Sequence, residues 1–350
     1  MRPREKRMVM LENSDDYRAL TPDNAAVLLC ENKNLLILFH VHPDGDAIGS
    51  AFALKAFVER FGGRAWCVCA DELPDRFGFV SDGIQESVRV ESVPEDFKYD
   101  IVVSVDTASP SQLGALYEIY KDRIDLMIDH HGKGTYYADH CVDASASACG
   151  EVLYEILDIA SRRLGGELPI EVCRLLYMAV SSDTGCFRYS NVSPKTHMLA
   201  ARMLERGVDS ADINRRLFGI KTLKQMQVEH AGFERMNFHC GGRVAVITFP
   251  YDLKAQYGAE DEALETLIDV ARCVKGVEVA AVIKQPTADN RFRVSMRSSC
   301  DFDVSEVCAL YGGGGHVRAA GCTINADSIL SAEMTIVLAV EQRLASEKDQ

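Results

Sequence analysis

Residues 35–63 read LLILF, then HVHPDGD, then AIGSAFALKAFVERF and GG. LLILF (Leu35 to Phe39) is a short, continuous apolar run, the pattern of a strand covered on both faces. The helical repeat of AIGSAFALKAFVERF follows it and stops at Gly62-Gly63. Strand, polar loop and helix in that order open a βαβ unit. RAWCVCA, YDIVVSVD and RIDLMID read as further buried strands, and two amphipathic helices are expected over 148–164 and 170–181. The fold class is therefore α/β with a parallel sheet. In such sheets ligands collect beyond the carboxyl ends of the strands, so the polar residues that follow each strand share one address.

From about Pro194 the pattern is mainly helical, through AARMLERG and INRRLFGIKTLKQMQVEHAGFERM. A second α/β unit begins at RVAVITFP and runs through EALETLIDVARCV, the strands VEVAAVIKQ and RFRVSMR, a helix near SEVCALY, and GGGGH. The expected organisation is a parallel-sheet N-terminal domain over 1–205, a helical connector over 206–238 and a smaller C-terminal α/β domain over 239–350.

The chain has 350 residues, with 38 Lys and Arg against 52 Asp and Glu, a formal charge of −14. An apolar share of 47% with 26% charged residues is that of a protein able to bury a core, which excludes disorder for most of it. The acidic balance argues against binding long duplex nucleic acid, which needs surplus Lys and Arg to neutralise phosphates. A small phosphorylated ligand in a local basic pocket stays open. No run reaches the roughly 20 apolar residues that cross a bilayer. The basic opening MRPREKR leads to the polar ENSDDYR where a signal peptide needs an apolar stretch, so a cytoplasmic protein without a membrane partner is expected. The 12 cysteines lie scattered in apolar segments, and the lone C-x-C of Cys67 and Cys69 supplies no tetrahedral zinc site. They read as small buried apolar residues.

Four strand-end or helix-end places carry the chemistry: His40, Asp44 and Asp46 after LLILF; Asp106 after IVVSV; Asp129, His130 and His131 after RIDLMI; and Asp183 in SSDTGCFR. Each has a plainer meaning. Pro43-Asp44-Gly45-Asp46 is a turn sequence, Asp106-Thr107 can cap a helix starting near Ser109, and a His pair can be a surface pair. Together, carboxylates and imidazoles without a thiolate at successive strand ends suit a hard-to-borderline divalent cation such as Mn²⁺ or Mg²⁺. Gly312-Gly313-Gly314-Gly315-His316 offers backbone N–H groups with no side chains in the way, an anion cradle or else a flexible loop. Arg297, in Ser295-Met296-Arg297-Ser298, can clamp a phosphate, and Arg318 is a weaker candidate.

HVHPDGDAIGS, VDT, IDHH and SSDTGCFRYSN, in that order, resemble the motifs of the DHH phosphoesterase superfamily. SMRSS…VSEVCALYGGGGHVRAAG resembles the DHH-associated C-terminal domain of its RecJ-like branch, and the size and two-domain form are similar to the bacterial nanoRNase/pAp phosphatase group. The resemblance implies a two-domain phosphoesterase with two metal ions, usually Mn²⁺, with Mg²⁺ or Co²⁺ as substitutes. His40 and Asp44 would bind one ion, Asp46 and His130 the other, Asp106 would bridge them, and Asp183 would complete the set. His131 would face the substrate phosphate, and Asp129 would orient a ligand imidazole. Arg297, Ser295, Gly314, Gly315 and His316 would bind the nucleotide. One departure is ASASACG over 144–150, where Cys149 stands at a position that more often carries a hydroxyl.

The activity implied is hydrolysis of very short 5′-phosphorylated oligoribonucleotides, such as pApA or pGpG, and of 3′-phosphoadenosine 5′-phosphate (pAp). A homodimer is common in the group. A family II inorganic pyrophosphatase shares the N-terminal motifs but not the GGGGH element. A RecJ-type exonuclease is disfavoured by the charge and by a single Trp, which leaves few stacking platforms. A nucleotide sensor without catalysis is the reading from another class.

Overall fold

The structure, a computed structural model, describes residues 17–81 and 84–346, so the basic opening segment 1–7 lies outside it. The described chain divides into two compact units at Ile220/Lys221. No helix among the described residues is long and apolar enough to cross a membrane.

The first unit carries strands β1 (Asn34–Leu38), β2 (Arg64–Val68), β3 (Ile101–Val105), β4 (Ile124–Asp129) and β5 (Asp139–Val142). Its helices are α1 (Pro22–Glu31), α2 (Gly45–Arg60), α3 (Gly78–Ser81), α4 (Ala115–Tyr120), α5 (Cys149–Arg163), α6 (Ile170–Asp183), α7 (Pro194–Glu205) and α8 (Ser210–Asn214). The sheet is parallel throughout, in the order β2-β1-β3-β4-β5. β1 and β3 run buried on both faces, as their unbroken apolar runs require. Leu35, Ile37 and Val103 pack into the core under α2, α5 and α6, while Leu36, Leu38 and Val102 face a second apolar layer with Leu113, Leu116 and Tyr137. Strand order reverses at β1/β3, the switch point beyond whose strand ends such sheets bind their ligands.

α2 is buried along most of its length because it runs through the core. It crosses α6 closely: a Cβ built on Gly49 would lie 2.7 Å from the Leu175 carbonyl oxygen and 2.9 Å from Ala179 Cβ. On α5, a Cβ on Gly150 would lie 2.7 Å from the same Ala179 Cβ. Two glycines thus let three helices meet around one alanine.

The second unit carries β6 (Met236–His239), β7 (Val244–Phe249), β8 (Val279–Lys284), β9 (Arg291–Ser298), β10 (Gly314–His316) and β11 (Ala319–Asn325). Its helices are α9 (Leu223–Glu234), α10 (Tyr251–Tyr257), α11 (Leu267–Arg272), α12 (Val304–Ala309) and α13 (Ile329–Ser346). The sheet order is β10-β11-β9-β8-β7-β6; only β7 and β8 pair in parallel. One face packs Phe292, Val294 and Met296 with residues of α12 and α13, and the other packs Ala280 and Val282 with Leu264 and Leu267.

Three sequence readings are refined here. The stretch 213–236 is not one helix: a π-turn over Arg215–Gly219 and extended Ile220 interrupt it, and Thr222 caps α9 afresh. Residues 236–238, expected in the helical connector, open β6. Gly314–His316 is not a loop but the edge strand of a hairpin with β11.

Replacing Gly49 by Ala forces α2 away from the α6 backbone. The expected loss is about 1–3 kcal/mol of stability, the usual effect of overpacking, measured by urea denaturation.

Candidate metal centre

Each candidate residue is placed by a local rule. Asp44 caps α2, its Oδ1 accepting from the Asp46 and Ala47 N–H groups at 3.0 Å each. Asp46 is therefore in the first turn, on a buried helix facing the sheet. His40 leaves β1 with Nδ1 2.8 Å from the Val41 carbonyl oxygen, which directs Nε2 inward. Asp106 follows β3 in a left-handed conformation, φ 52°. His130 directly follows β4, with Nδ1 3.3 Å from the Ala146 carbonyl oxygen, again with Nε2 inward. Asp183 is the last residue of α6. The helix starting after Asp106 is capped by Ser109 and Gln112, so Asp106 is not its cap.

These side chains converge. His40 Nε2 lies 3.7 Å from Asp44 Oδ1 and 3.5 Å from Asp106 Oδ2. His130 Nε2 lies 3.6 Å from Asp106 Oδ1, 3.8 Å from Asp46 Oδ2 and 3.4 Å from Asp183 Oδ2. Ligand atoms of His40, Asp44 and Asp106 form one compact set; those of Asp46, His130 and Asp183 form another; and Asp106, His130 and His131 form a third. Asp106 sends one oxygen toward each imidazole. Its Oδ1 is buried with no hydrogen-bond partner, an expensive state for a carboxylate oxygen unless a cation meets it. The N···O spacings are mostly too long for hydrogen bonds and suit donors that surround shared cations. The residues fit divalent ions.

The electrostatics agree. Burial, then the charges of Asp106 and Asp44, push Asp46 well above the usual carboxylate range. Burial, then Asp46, Asp44 and Asp106, do the same to Asp183. Asp44 goes the other way: loss of solvent opposes its charge, but His40 and the helix N–H groups hold its carboxyl well below the usual range. For His40, burial opposes protonation, but Asp106 and Asp44 outweigh it and raise the imidazole well above its ordinary value.

Asp129 Oδ1 lies 2.7 Å from His131 Nδ1, so the imidazole it orients is that of His131. Burial opposes a charge on His131, but Asp129, then Asp106 and Asp46, raise its pKa to about 9.

Residues 34–180 match the N-terminal domain of the DHH family, and residues 241–345 match the DHHA1 domain. The chain is 29% identical over 322 residues to the bifunctional oligoribonuclease and PAP phosphatase NrnA of Thermus thermophilus, covering 91% of this chain and 93% of that one. It is 25% identical over 300 residues to the protein of the same name from Bacillus subtilis, covering 83% and 91%. The chain thus carries an N-terminal domain of the DHH family followed by a DHHA1 domain. In fold, its structure is similar to that of an exopolyphosphatase-related protein from Bacteroides fragilis, with TM-score 0.82 at 18% identity over 92% of this chain and 96% of that one. It is less similar to RecJ of Thermus thermophilus in complex with Mn²⁺, with TM-score 0.52 at 14% identity over 95% and 57%.

Several supports of the DHH site were not singled out from sequence. The N–H groups of Cys149 and Gly150, at the start of α5, donate to Asp46 at 2.6 and 3.0 Å. Asn191 Nδ2 donates to the Asp183 carbonyl at 3.1 Å and to the Ser147 carbonyl at 3.0 Å. Ser147 in turn bonds the buried Glu151 carboxylate and Thr196. The apolar start of α5 after Ala148 is the signal that could have pointed to the first pair. Cys149, flagged as a departure, is buried, and its Sγ reaches the Ile128 carbonyl at 3.3 Å. Burial, then Asp46, Asp106 and Asp129, keep its thiol well above the ordinary range, so it stays neutral. Among the other cysteines, Cys273 is exposed rather than buried.

In the DHHA1 domain, Ser295 and Arg297 lie two apart on β9, opposite Gly321 and Ala319 of β11. Gly314 and His316 occupy the next positions across, opposite Gly321 and Ala319. Gly315 adopts φ 142°, and a Cβ there would lie 2.4 Å from the Ala319 carbonyl oxygen. The N–H groups of Gly312 and Gly313 are committed to the Ala309 and Cys308 carbonyls, which shortens the anion cradle expected there. Arg318 pairs with Asp301 at 3.0 Å on the surface.

Stability of the metal-free protein should fall as pH rises. A group whose folded pKa is raised stabilises fully below its unfolded pKa and loses that contribution as pH passes its folded value; this holds for Asp46, Asp183, His40 and His131. Asp44, shifted down, changes its contribution only below about pH 4. Thermal melts in chelator from pH 5 to 9 should show a falling midpoint, and added Mn²⁺ should raise it most at the alkaline end. A midpoint flat in pH and indifferent to metal would contradict the centre.

Proposed function

We propose that this DHH protein is a divalent-metal-dependent phosphoesterase that hydrolyses very short oligoribonucleotides, such as pApA and pGpG, to mononucleotides, and converts pAp to AMP. The observation that carries the reading is Asp106, whose two buried oxygens face separate His–carboxylate sets. It is supported by relatives named oligoribonuclease and PAP phosphatase that match over most of the chain. The acidic charge of −14 favours short substrates, since binding a long strand needs many basic contacts.

His40, Asp44 and Asp106 would hold one ion, and Asp46, His130, Asp183 and Asp106 the other, Mn²⁺ being the first choice with Mg²⁺ or Co²⁺ as substitutes. Bound there, the pair supplies water activation and charge neutralisation for in-line displacement at phosphorus. Asp106 fixes the spacing of the two sets, and Asp46 is held rigid by the α5 N–H groups. The His131 imidazole has its Nδ1 on the Asp129 carboxylate, which favours its protonated form, and is suited to give a proton from Nε2 to the leaving oxygen. Arg297 and Ser295 on the DHHA1 sheet, with Gly314, Gly315 and His316, would hold the nucleotide.

Product analysis with Mn²⁺ tests the reading on pApA, a pentanucleotide, a long single-stranded RNA, pAp and pyrophosphate. Rapid AMP release from pApA with the long RNA nearly untouched is expected. Turnover of pyrophosphate alone would favour the pyrophosphatase reading, and metal binding with no turnover a nucleotide sensor. Asp106→Asn should lose at least a thousandfold in rate, roughly 4 kcal/mol of barrier. Asp129→Asn, which only releases His131, should lose about 10–100-fold.

A further inference from the structure

Cys308 on α12 and Cys322 on β11 reach each other inside the DHHA1 domain. Both turn into the core layer between the sheet and α12 and α13, where Val294 is the cross-strand neighbour of Cys322. Their thiols lie within hydrogen-bonding reach, the Cys308 S–H directed at the Cys322 sulfur. Other buried thiols spend their S–H on the main chain: Cys67 on the Ala51 carbonyl at 3.5 Å and Cys149 on the Ile128 carbonyl at 3.3 Å. Those are the contacts of inert core cysteines, whereas a thiol facing a thiol is a disulfide not yet made.

The cover over the pair is thin. The Gly313 N–H donates to the Cys308 carbonyl at 2.9 Å, and a Cβ built on Gly313 would lie 2.7 Å from Cys322 Cα and overlap its Cβ. Gly313 is therefore tied to one cysteine and packed on the other, and it has no side chain with which to seal them. Gly312 and Gly314 on either side are exposed. β10, which follows Gly313, is a three-residue edge strand paired on one side only, the kind of element that opens first. The two sulfurs also differ in chemistry. The Cys308 S–H favours the ionised form of Cys322 and outweighs its burial, so that thiol is shifted down. The same contact, with burial, shifts Cys308 up, so it keeps its proton. Cys322 is the nucleophile of the pair, since the thiolate is the reactive form.

We propose that Cys308 and Cys322 form an oxidisable dithiol that a hydroperoxide converts to a disulfide, stapling α12 to β11 at the base of the glycine hairpin. The Cys322 thiolate attacks a peroxide oxygen, the O–O bond breaks, and a sulfenic acid forms as hydroxide leaves and takes up the thiol proton. Cys308 sulfur then attacks Cys322 sulfur and expels the sulfenic oxygen as water, its own proton leaving with it. Two thiols and one hydrogen peroxide give one disulfide and two waters. The link closes residues 308–322 into a loop that contains Gly314 and Gly315. Drawing the sulfurs from contact to bonding distance pulls β11 toward α12 while Gly313 touches both, so the hairpin shifts. On the reading of this hairpin as part of the nucleotide-holding surface, oxidation weakens substrate binding and leaves the metal centre, whose residues all belong to the other unit, unchanged.

The test treats the folded full chain with hydrogen peroxide, blocks the remaining thiols with N-ethylmaleimide and maps the peptides by mass spectrometry. A peptide linked through Cys308 and Cys322 is expected, lost again on addition of dithiothreitol. Cys308→Ala should leave Cys322 as a sulfenic acid that dimedone traps, and Cys322→Ala should leave Cys308 unreacted. Oxidation of the wild type should raise KM for pApA about threefold or more with kcat and Mn²⁺ affinity unchanged, and neither variant should show the rise. Recovery of both thiols free under conditions that oxidise the exposed Cys273, or linkage of Cys308 and Cys322 only in urea, overturns the dithiol. A linked peptide with an unchanged KM overturns the displacement of the hairpin. A linked peptide in a protein that hydrolyses no phosphoester upholds the dithiol and sinks the catalytic reading instead.

Discussion

Four carboxylates, Asp44, Asp46, Asp106 and Asp183, meet at the mouth of a parallel sheet, and the first domain is arranged around their mutual repulsion. Gathering such charges out of water is costly, and burial alone would protonate or expel them. The fold answers with oriented backbone. α2 begins at Asp44, so its own N–H groups bind the carboxylate that caps it. α5 begins beside Asp46 and aims the Cys149 and Gly150 N–H groups at it. Both helices place the positive ends of their dipoles at the cluster, where negative charge is favoured. What backbone donors cannot neutralise, including the unpartnered Asp106 oxygen, is left for cations.

The close meeting of α2, α5 and α6 follows from the same demand. Asp46, its N–H donors and Asp183 come from three different helices, so their relative positions are only as precise as the packing between those helices. Gly49 and Gly150 remove the side chains that would hold the three backbones apart at Ala179. The second domain meets the opposite electrostatic problem on a different scaffold. There a row of small residues, Ser295, Gly321 and Gly314, lies across three strands next to the row that carries Arg297.

The parts that could be read from sequence were those set by local pattern. LLILF, IVVSV and RIDLMID are apolar runs whose period and flanks allow only buried strands, and the strand-end rule then pointed to His40, Asp106 and His130. β5 and β11 escaped because DHCV is short and half polar and AAGCTIN follows a hairpin of glycines that looked like a loop. The Gly312–Gly315 run allows many backbones, and pairing with β11 decides among them. Which imidazole Asp129 orients was not legible: sequence adjacency places it next to His130, whereas alternation along the strand end turns it toward His131. Cys308 and Cys322 read as two scattered apolar residues, and only the packing of α12 on β11 makes them a pair.

Backbone strain marks the same loops. His42 and Asp106, at the ends of β1 and β3, and Cys186 and Phe187, just beyond Asp183, all hold left-handed φ angles near 50–60° without being glycine. Such conformations cost of order 1–3 kcal/mol each and persist only where the surroundings over-determine them. At Asp106 the surroundings are visible: its N–H is bound to the Ile128 carbonyl at 2.9 Å, so the chain turns left-handed while still joined to β4. A relaxed turn there would swing the carboxylate away from one of the two imidazoles. The strain and the carboxylate repulsion therefore have a common origin, because both are needed to hold one aspartate between two sets of ligands. A domain that stores both has less stability to spare, and its bulk apolar core under α2 and α6 is what offsets them.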